Sequence, residues 1–100
     1  MKRVVSIIVN FRTAELTLRA LETLLKESGC LDHAHAIIVD NDSGDGSYEA
    51  IAEGVRSKAV GDLVTVLQSG RNGGFAFGVN TGIRHVIETG MTPDAIYLLN

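Results

Sequence analysis

Four short apolar runs constrain the fold of this chain more than any other feature. They occupy residues 4–9, 36–39, 63–67 and 95–99. The first two are rich in β-branched residues and show no polar alternation, which is typical of strands buried on both faces of a parallel sheet. We therefore predict four strands, one at each run.

A helical pattern lies between each pair of consecutive strands. Thr13 is suited to cap the first helix, and Gly29 is expected to end it. The apolar positions of that helix recur at helical spacing, at Ala14, Leu18, Leu21 and Leu25. Ser47 is predicted to cap a second helix that ends near Gly61, and a third helix is predicted over 75–89. This alternation predicts one Rossmann-like, three-layer α/β domain with a parallel sheet.

The composition bounds the partners and the compartment. The chain has 100 residues, of which 45% are apolar and 21% are charged, as expected for one small packed domain. The net charge of −3 argues against a nucleic-acid partner, because counterion release needs clustered Lys and Arg side chains. Cys30 is the only cysteine, which excludes an intramolecular disulfide and favours a reducing cytoplasm. No apolar run approaches the roughly 18 residues of a membrane span.

The last predicted strand stops at the end of the sequence. Open α/β sheets place their ligand-binding loops at the carboxyl ends of strands, and Asn100 stands at such an end. We therefore expect residues 1–100 to be a single α/β domain and an amino-terminal fragment of a longer enzyme. The intact mass of the natural protein, compared with its reading frame, tests that expectation.

Polar segments follow all four predicted strands, at residues 10–12, 40–45 and 71–74 and at Asn100. The carboxyl ends of parallel strands share one edge of the sheet, so these segments are predicted to converge on one crevice. Polar loops are also ordinary in α/β domains, and for any single segment that explanation has about equal weight.

Several familiar binding motifs are absent from the sequence. It has no Gly-Lys-Ser or Gly-Lys-Thr loop, which argues against a Walker-type ATPase. The turn after the first strand contains no glycine, so a dinucleotide could not approach that backbone closely. A calcium loop starting at Asp40 would need an oxygen ligand and a bidentate Glu where Gly44 and Ile51 stand, so an EF-hand is excluded.

The charged side chains in these segments have both binding and structural interpretations. Asp40, at the end of a strand, could accept hydrogen bonds from a base N–H or a ribose hydroxyl, or could cap the following turn. Asp42 and Asp45 are expected to order their loop through Asx turns. Arg12 and Arg71 could donate forked hydrogen bonds to a diphosphate, although arginines are common on protein surfaces.

The start of the third helix is rich in glycine. Gly74, Gly78 and Gly82 lie four residues apart on one helical face, and an interior glycine costs about 1 kcal/mol relative to alanine. We expect Gly73 and Gly74 to lie near a ligand, and Gly78 and Gly82 to let the helix pack closely on a strand.

The histidines and the cysteine form no metal or nucleophile pattern. His33, His35 and His85 are predicted on a loop, at a strand start and on a helix, without metal-ligand spacing. Cys30 follows a predicted helix end with no histidine expected beside it, so an inert thiol is predicted.

Four segments, residues 5–11, 38–47, 71–82 and 98–100, stand in order at the predicted strand ends. The third has the form Asn-x-Gly-Phe-Ala-x-Gly-x-Asn-x-Gly. Together they resemble the amino-terminal half of family-2 glycosyltransferases, over nearly the whole chain. The third segment is most similar to the rhamnosyltransferase branch, which makes bacterial cell-surface polysaccharides.

This resemblance implies the GT-A fold with strand order 3-2-1-4, and an inverting enzyme that transfers a sugar from a nucleotide diphosphate to an acceptor hydroxyl. It places the loop after the first strand against the base, which Asp40 hydrogen-bonds. The nucleotide-binding residues that it implies are Asn10, Phe11, Arg12, Asp40, Asn41, Asp42, Arg71, Asn72, Gly73 and Gly74. The expected donor is dTDP- or UDP-linked, and the expected acceptor is a saccharide or a lipid-linked molecule.

The resemblance also implies parts that would follow Asn100: aspartates that hold a divalent metal, Mg²⁺ or Mn²⁺, against the diphosphate, and the catalytic base. The triplet 40–42 spells Asp-x-Asp but follows the second strand, so it takes no metal role. Residues 1–100 alone are therefore expected to bind nucleotide weakly and not to transfer sugar. The longer protein is expected in the cytoplasm or at the inner face of the membrane.

Two other classes are alternatives. A flavodoxin-like or receiver-like signalling module would need, as a receiver, an acidic pair where Asn10 and Phe11 stand. A nucleotidyltransferase normally has a loop rich in glycine and arginine there, which residues 11–14 lack. Strand order distinguishes the receiver-like alternative from the glycosyltransferase resemblance. The order 3-2-1-4 brings Asn10 near Asn100, whereas a receiver has its third strand between the first and the fourth.

Overall fold

The computed structural model describes residues 3–27 and 33–99, which form alternating strands and helices. The strands are β1 Arg3–Asn10, β2 His33–Asp40, β3 Val64–Gln68 and β4 Ala95–Leu99. The helices are α1 Ala14–Glu27, α2 Ser47–Ser57 and α3 Phe75–Glu88. The predicted order of strands and helices is confirmed.

The strands form one parallel sheet in the order β3-β2-β1-β4. β1 pairs with β2 as far as Asn10↔Asp40, and on its other side it pairs with β4 as far as Ile8↔Leu99. Because β4 lies directly beside β1, the receiver-like order is excluded and the order 3-2-1-4 is confirmed. The predicted neighbour Asn100 lies outside the described residues.

β1 and β2 are buried on both faces, as their lack of alternation predicts. Side chains of β1 alternate between two cores, so that Ile7 packs toward α3 and Ile8 packs toward α1 and α2. The core under α3 consists of Val5, Ile7, Val9, Ile37, Val39, Val79 and Val86. The core under α1 and α2 consists of Ile8, Leu21, Ala36, Ile38, Ile51, Val55 and Val64. The three predicted layers are therefore present.

β2 begins earlier than the sequence predicts. It starts at His33, not at Ala36, because it pairs in register with all of β1. His33 therefore lies in a strand, and its prediction as a loop residue is wrong. The predictions for Gly29 and Cys30 fall outside the described residues.

α2 is shorter than predicted, and its first turn is capped differently. It ends at Ser57, before Gly61. The residue before the helix is Gly46, in the left-handed conformation, and Ser47 is the first helical residue instead of the predicted cap. The carboxylate of Asp45 accepts the hydrogen bond from the Ser47 backbone N–H.

The amino ends of the strands border a cavity of about 450 Å³, on the edge of the sheet opposite the predicted crevice. Arg3, His35, Asp62 and Met91 are among its lining residues. Burial lowers the pKa of His35, partly offset by a hydrogen bond with the Asp62 backbone. The Nε2 atom of His35 lies 2.7 Å from the hydroxyl oxygen of Thr65.

β4 is an edge strand of the sheet, and Ile96, Tyr97 and Leu98 are exposed along it. None of the helices within 3–27 and 33–99 has the length and apolar character needed to cross a lipid bilayer. The polar side chains that point to a function gather at the carboxyl ends of β1, β2 and β3.

Candidate functional site

The carboxyl ends of the three strands bring together the segments that the sequence singles out. Asn10 ends β1 and pairs in register with Asp40, which ends β2. Asp40 in turn pairs with Gln68, which ends β3. The predicted convergence of residues 10–12, 40–45 and 71–74 on one edge is thus consistent with the observed register.

Asn10 is at the centre of a buried group of polar side chains, with none of its surface exposed (0%). Its amide nitrogen donates a hydrogen bond to Asp40 Oδ1, at 2.9 Å. Its amide oxygen accepts hydrogen bonds from the hydroxyls of Thr17, at 2.6 Å, and Thr13, at 3.2 Å. Both ends of the side chain are therefore used within the protein.

Ser43 completes this group, which we call the buried corner: Asn10, Thr17, Asp40 and Ser43. The Ser43 hydroxyl donates to Asp40 Oδ1, at 2.5 Å, and accepts a hydrogen bond from the backbone N–H of Arg12, at 2.8 Å. The guanidinium of Arg12 donates through Nε to the Ser43 carbonyl oxygen, at 3.0 Å. The buried corner therefore joins the loop after β1 to the loop after β2.

Asp40 is 2% exposed, so its carboxylate is part of the protein interior. Its Oδ1 atom accepts hydrogen bonds from Asn10 and Ser43, and its Oδ2 atom accepts one from the Ser43 backbone N–H, at 3.2 Å. The structure thus shows the turn-capping interpretation of this side chain. A hydrogen bond from Asp40 to a base stays a prediction. The acceptor in that bond would have to be Oδ2, because Oδ1 already accepts two hydrogen bonds.

Asn41 links two loops of the site. Its amide nitrogen donates to the carbonyl oxygen of Gly74, at 2.8 Å, and its amide oxygen lies 2.6 Å from the Ser69 hydroxyl, which donates to it. The side chain is buried. Asn41 therefore holds the start of α3 against the loop after β2.

The other seven predicted site residues are exposed. They form what we call the exposed rim: Phe11, Arg12, Asp42, Arg71, Asn72, Gly73 and Gly74. The guanidinium of Arg12 lies 5.0 Å from the centre of the Phe11 ring, and that of Arg71 lies 4.5 Å from the Phe77 ring. Cation–π contacts of this kind orient a guanidinium while leaving its N–H donors available. The exposed rim offers a ligand two arginines, the phenylalanine Phe11, which is 37% exposed as a residue, and open space beside the Gly74 backbone.

The glycines at the start of α3 have separate roles. A Cβ atom on Gly78 would lie 2.7 Å from Val9 Cγ1, and one on Gly82 would lie 2.9 Å from Ile7 Cγ2. These two glycines therefore let α3 approach β1, which confirms their predicted packing role. Gly74 has φ 92° and nothing within 4 Å of a Cβ, so its backbone conformation, not crowding, requires glycine.

The two remaining aspartates of the loop after β2 are exposed. Asp45 Oδ1 accepts hydrogen bonds from the Ser47 backbone N–H, at 3.0 Å, and the Ser47 hydroxyl, at 2.5 Å. The hydroxyl bond lowers the pKa of Asp45 below its usual value of 3.8, and the nearby Arg12 acts in the same direction. This confirms the predicted Asx turn at Asp45. Asp42 has φ 58°.

The acidic side chains do not assemble a metal site within 3–27 and 33–99, since no three His, Cys, Asp or Glu side chains there are placed to hold an ion. Asp40, the first aspartate of the Asp-x-Asp triplet, is committed to the buried corner. The described residues therefore do not fit a divalent metal.

The sequence did not identify Thr17, Ser43 and Ser69, which hold the predicted residues in place. Signals for two of them exist. Ser43 follows Asp40 by three residues, the spacing at which a capping side chain accepts a hydrogen bond from a backbone N–H. Thr13 directly precedes α1 and Thr17 follows it by four residues, one helical turn later, so both hydroxyls reach Asn10.

Comparisons with known proteins agree with this architecture. The family model described as glycosyl transferase family 2 matches residues 6–89. A mannosyltransferase from Pyrobaculum calidifontis, solved in complex with GDP-Man and Mn²⁺, is 26% identical and superposes with a TM-score of 0.71. The superposition covers 83% of this chain and 24% of that structure, so the chain spans about a quarter of its length. No curated protein sequence matches the chain.

Proposed function

Because the chain belongs to glycosyl transferase family 2, we propose that it is the part of a glycosyltransferase that binds the nucleotide diphosphate of the sugar donor. The observation that carries this proposal is the exposed rim, held at the carboxyl edge of the sheet by the buried corner. Open α/β sheets bind their ligands at that edge. The mannosyltransferase that superposes on this chain was solved with a nucleotide sugar.

The chemistry of the exposed rim suits a nucleoside diphosphate. The Phe11 ring gives the base a flat apolar surface, and an exposed aromatic ring stacks with any base. Arg12 and Arg71 supply forked donors, which match phosphate oxygens. The first backbone N–H groups of α3, beyond Gly74, have the positive end of the helix dipole and favour a negative group.

We extend the proposal to the donor and to the reaction. The third motif, around residues 72–82, supports a rhamnosyltransferase-like enzyme that uses a dTDP- or UDP-linked sugar and acts with inversion. The acceptor would be a saccharide or a lipid-linked molecule in the synthesis of a bacterial surface polysaccharide. The enzyme would then act in the cytoplasm or at the inner face of the membrane.

An inverting transfer needs a base that takes the proton of the acceptor hydroxyl as its oxygen attacks the anomeric carbon. We assign that role to none of the described residues, and we propose that the base and the metal ligands lie outside this chain. The 100-residue chain should therefore bind nucleotide without transferring sugar. Turnover by the purified chain would contradict this.

The test is a titration of isotopically labelled protein with UDP, dTDP and GDP, each with and without Mn²⁺, followed through backbone amide shifts. Shifts confined to residues 11–12, 40–45 and 71–75 are expected, with dTDP or UDP binding more tightly than GDP. Tighter binding of GDP would overturn the proposed donor but not the site. Shifts centred on the opposite cavity, around His35 and Met91, would overturn the site.

Two arginine variants sharpen the titration. Arg71→Ala removes a donor from the exposed rim and should weaken nucleotide binding about tenfold, the effect of one charge-assisted hydrogen bond. Arg84→Ala removes the same charge from an exposed position further along α3 and serves as the control. Equal affinities in the two variants would show that Arg71 does not contact the nucleotide.

A further inference from the structure

Resting on the nucleotide site proposed above, we propose that Ser43 is a positioning residue for it. Ser43 is 1% exposed, so its side chain cannot present itself to a ligand at the surface. It acts through Arg12, which belongs to the exposed rim. The proposal is that the Ser43 hydroxyl fixes the Arg12 backbone, and with it the guanidinium that meets the nucleotide.

The backbone of Arg12 is in a conformation that it would not adopt without support. Its φ of 58° lies in the left-handed region, which is unfavourable for a residue with a Cβ atom. Such conformations persist where the surrounding structure fixes them, and they cluster at functional sites. The hydrogen bond of 2.8 Å from the Arg12 N–H to the Ser43 hydroxyl is a contact that fixes this one.

Two hydrogen bonds tie Arg12 to the same residue. The backbone N–H binds the Ser43 hydroxyl, and the guanidinium Nε binds the Ser43 carbonyl oxygen at 3.0 Å. The second bond uses one of the five N–H donors of the guanidinium and leaves the two terminal nitrogens to other partners. Ser43 therefore sets the Arg12 backbone and the direction of its side chain together.

The Ser43 hydroxyl can hold this position because it is itself fixed. A carboxylate only accepts hydrogen bonds, so the hydroxyl proton must point to Asp40 Oδ1, at 2.5 Å. The lone pairs of the oxygen then face the N–H of Arg12. The backbone N–H of Ser43 also binds Asp40 Oδ2, so the serine is anchored twice to the end of β2.

The experiment measures nucleotide affinity by calorimetry, and folding by thermal melting, in the protein of natural length. UDP, dTDP and GDP are the probes. Ser43→Ala should weaken the best of them about tenfold, since it removes the support of one charged donor. Ser47→Ala is the matched control: its hydroxyl is also buried and also donates to a carboxylate at 2.5 Å, but to Asp45. That variant should bind within about twofold of the parent protein.

A double-mutant cycle separates positioning from a general loss of structure. Arg12→Gly removes the guanidinium and adopts a positive φ without support. If Ser43 acts through Arg12, then Ser43→Ala should cost no further affinity in the Arg12→Gly protein. The same loss in both backgrounds would overturn the proposal, as would parental affinity in Ser43→Ala. If Ser43→Ala does not fold, Ser43→Cys, with its weaker donor, is put through the same cycle and must meet the same criteria.

The parent protein distinguishes this inference from the proposed function on which it rests. If it binds none of the three nucleotides, the nucleotide site is wrong, and the role of Ser43 is overturned with it. If it binds one of them and the cycle shows no coupling, only the role of Ser43 is overturned.

Discussion

The two sides of the candidate site reach their shapes by different means. On one side, the loops after β1 and β2 are joined by the buried corner, in which side chains bind one another inside the protein. On the other side, residues 70–74 are exposed and Ser69 is partly buried. The path of this segment depends on glycine, because φ is positive at Gly70 and Gly74. The first side is fixed mainly by hydrogen bonds between side chains, and the second depends on backbone conformations that favour glycine.

The two sides therefore differ in what stabilises them. Within the described residues every buried side-chain nitrogen and oxygen has a hydrogen-bond partner, so the buried corner has none left unpaired. A site of this kind keeps its geometry before a ligand arrives. The glycine-rich side has its own anchor in the bond from Asn41 to the Gly74 carbonyl oxygen. We expect the stability of the first side to depend on its buried side chains, and that of the second side to depend on the backbone conformation of its glycines.

The largest expected effect comes from Asn10→Ala. The substitution removes four hydrogen-bond contacts from a fully buried position. Asp40, Ser43, Thr13 and Thr17 each lose their contact with Asn10. We expect the free energy of unfolding to fall by about 3 kcal/mol, measured by denaturant titration. The exposed Asn72, changed in the same way, should lose less than about 0.5 kcal/mol. Similar losses at both positions would break the comparison between the two sides.

Gly74→Ala tests the other side. A Cβ at this position meets nothing within 4 Å, but φ 92° and ψ 176° form a conformation that is nearly restricted to glycine. We expect a loss of about 2 kcal/mol in thermal or denaturant unfolding. Gly61→Ala is the control, because a Cβ there also meets nothing and its φ is not positive. A loss no larger than in the control would mean that the start of α3 adapts freely.

Gly78→Ala probes the contact between α3 and β1, which supports both sides. The new Cβ would lie 2.7 Å from Val9 Cγ1 and 3.4 Å from Asn41 Oδ1. Overpacking costs about 1–3 kcal/mol, and the higher helix propensity of alanine returns about 1 kcal/mol, so a net loss of about 1 kcal/mol is expected. The melting temperature, again compared with Gly61→Ala, measures it. An unchanged melting temperature would show that Val9 moves aside without cost.

The smallest expected effect is on the pH dependence of the melting temperature. It should arise from His35, which lies at the opposite edge of the sheet from both sides of the candidate site. Burial lowers the pKa of His35 from 6.5, so below that pH the unfolded chain takes up a proton more readily than the folded protein. The melting temperature should therefore fall as the pH drops from about 7 to 5. His35→Gln should flatten that fall. The Asp45 carboxylate contributes above pH 3.8 and loses its contribution only in stronger acid, so an unchanged fall in His35→Gln would point to another group.

The sequence was sufficient to predict the fold because its signals are local and mutually consistent. Residues 4–9 and 36–39 have apolar side chains on both faces, and only a strand with a helix layer on each side buries them all. The start of β2 was missed because His33 is polar. Its place in the strand comes from pairing with β1, which is not visible in the run itself.

The candidate site was predicted in its position but not in its internal arrangement. The sequence could not show that Asn10, Asp40 and Asn41 are buried while Phe11 and Arg12 are exposed. The left-handed turn at Arg12 separates the buried Asn10 from the exposed Arg12 side chain, and the Arg12 N–H binds a residue 31 positions later. Contacts at such separations leave no spacing pattern along the chain.

The position of β1 has a consequence for how the chain folds during its synthesis. β1 is made first and lies at the centre of the sheet, yet its partner on one edge, β4, is made last. Until residues 95–99 leave the ribosome, an apolar strand has one edge of N–H and C=O groups unpaired, and such edges invite association with other chains. The nascent chain is thus most prone to aggregate just before β4 leaves the ribosome, and a chain truncated before Ala95 should expose that vulnerability permanently.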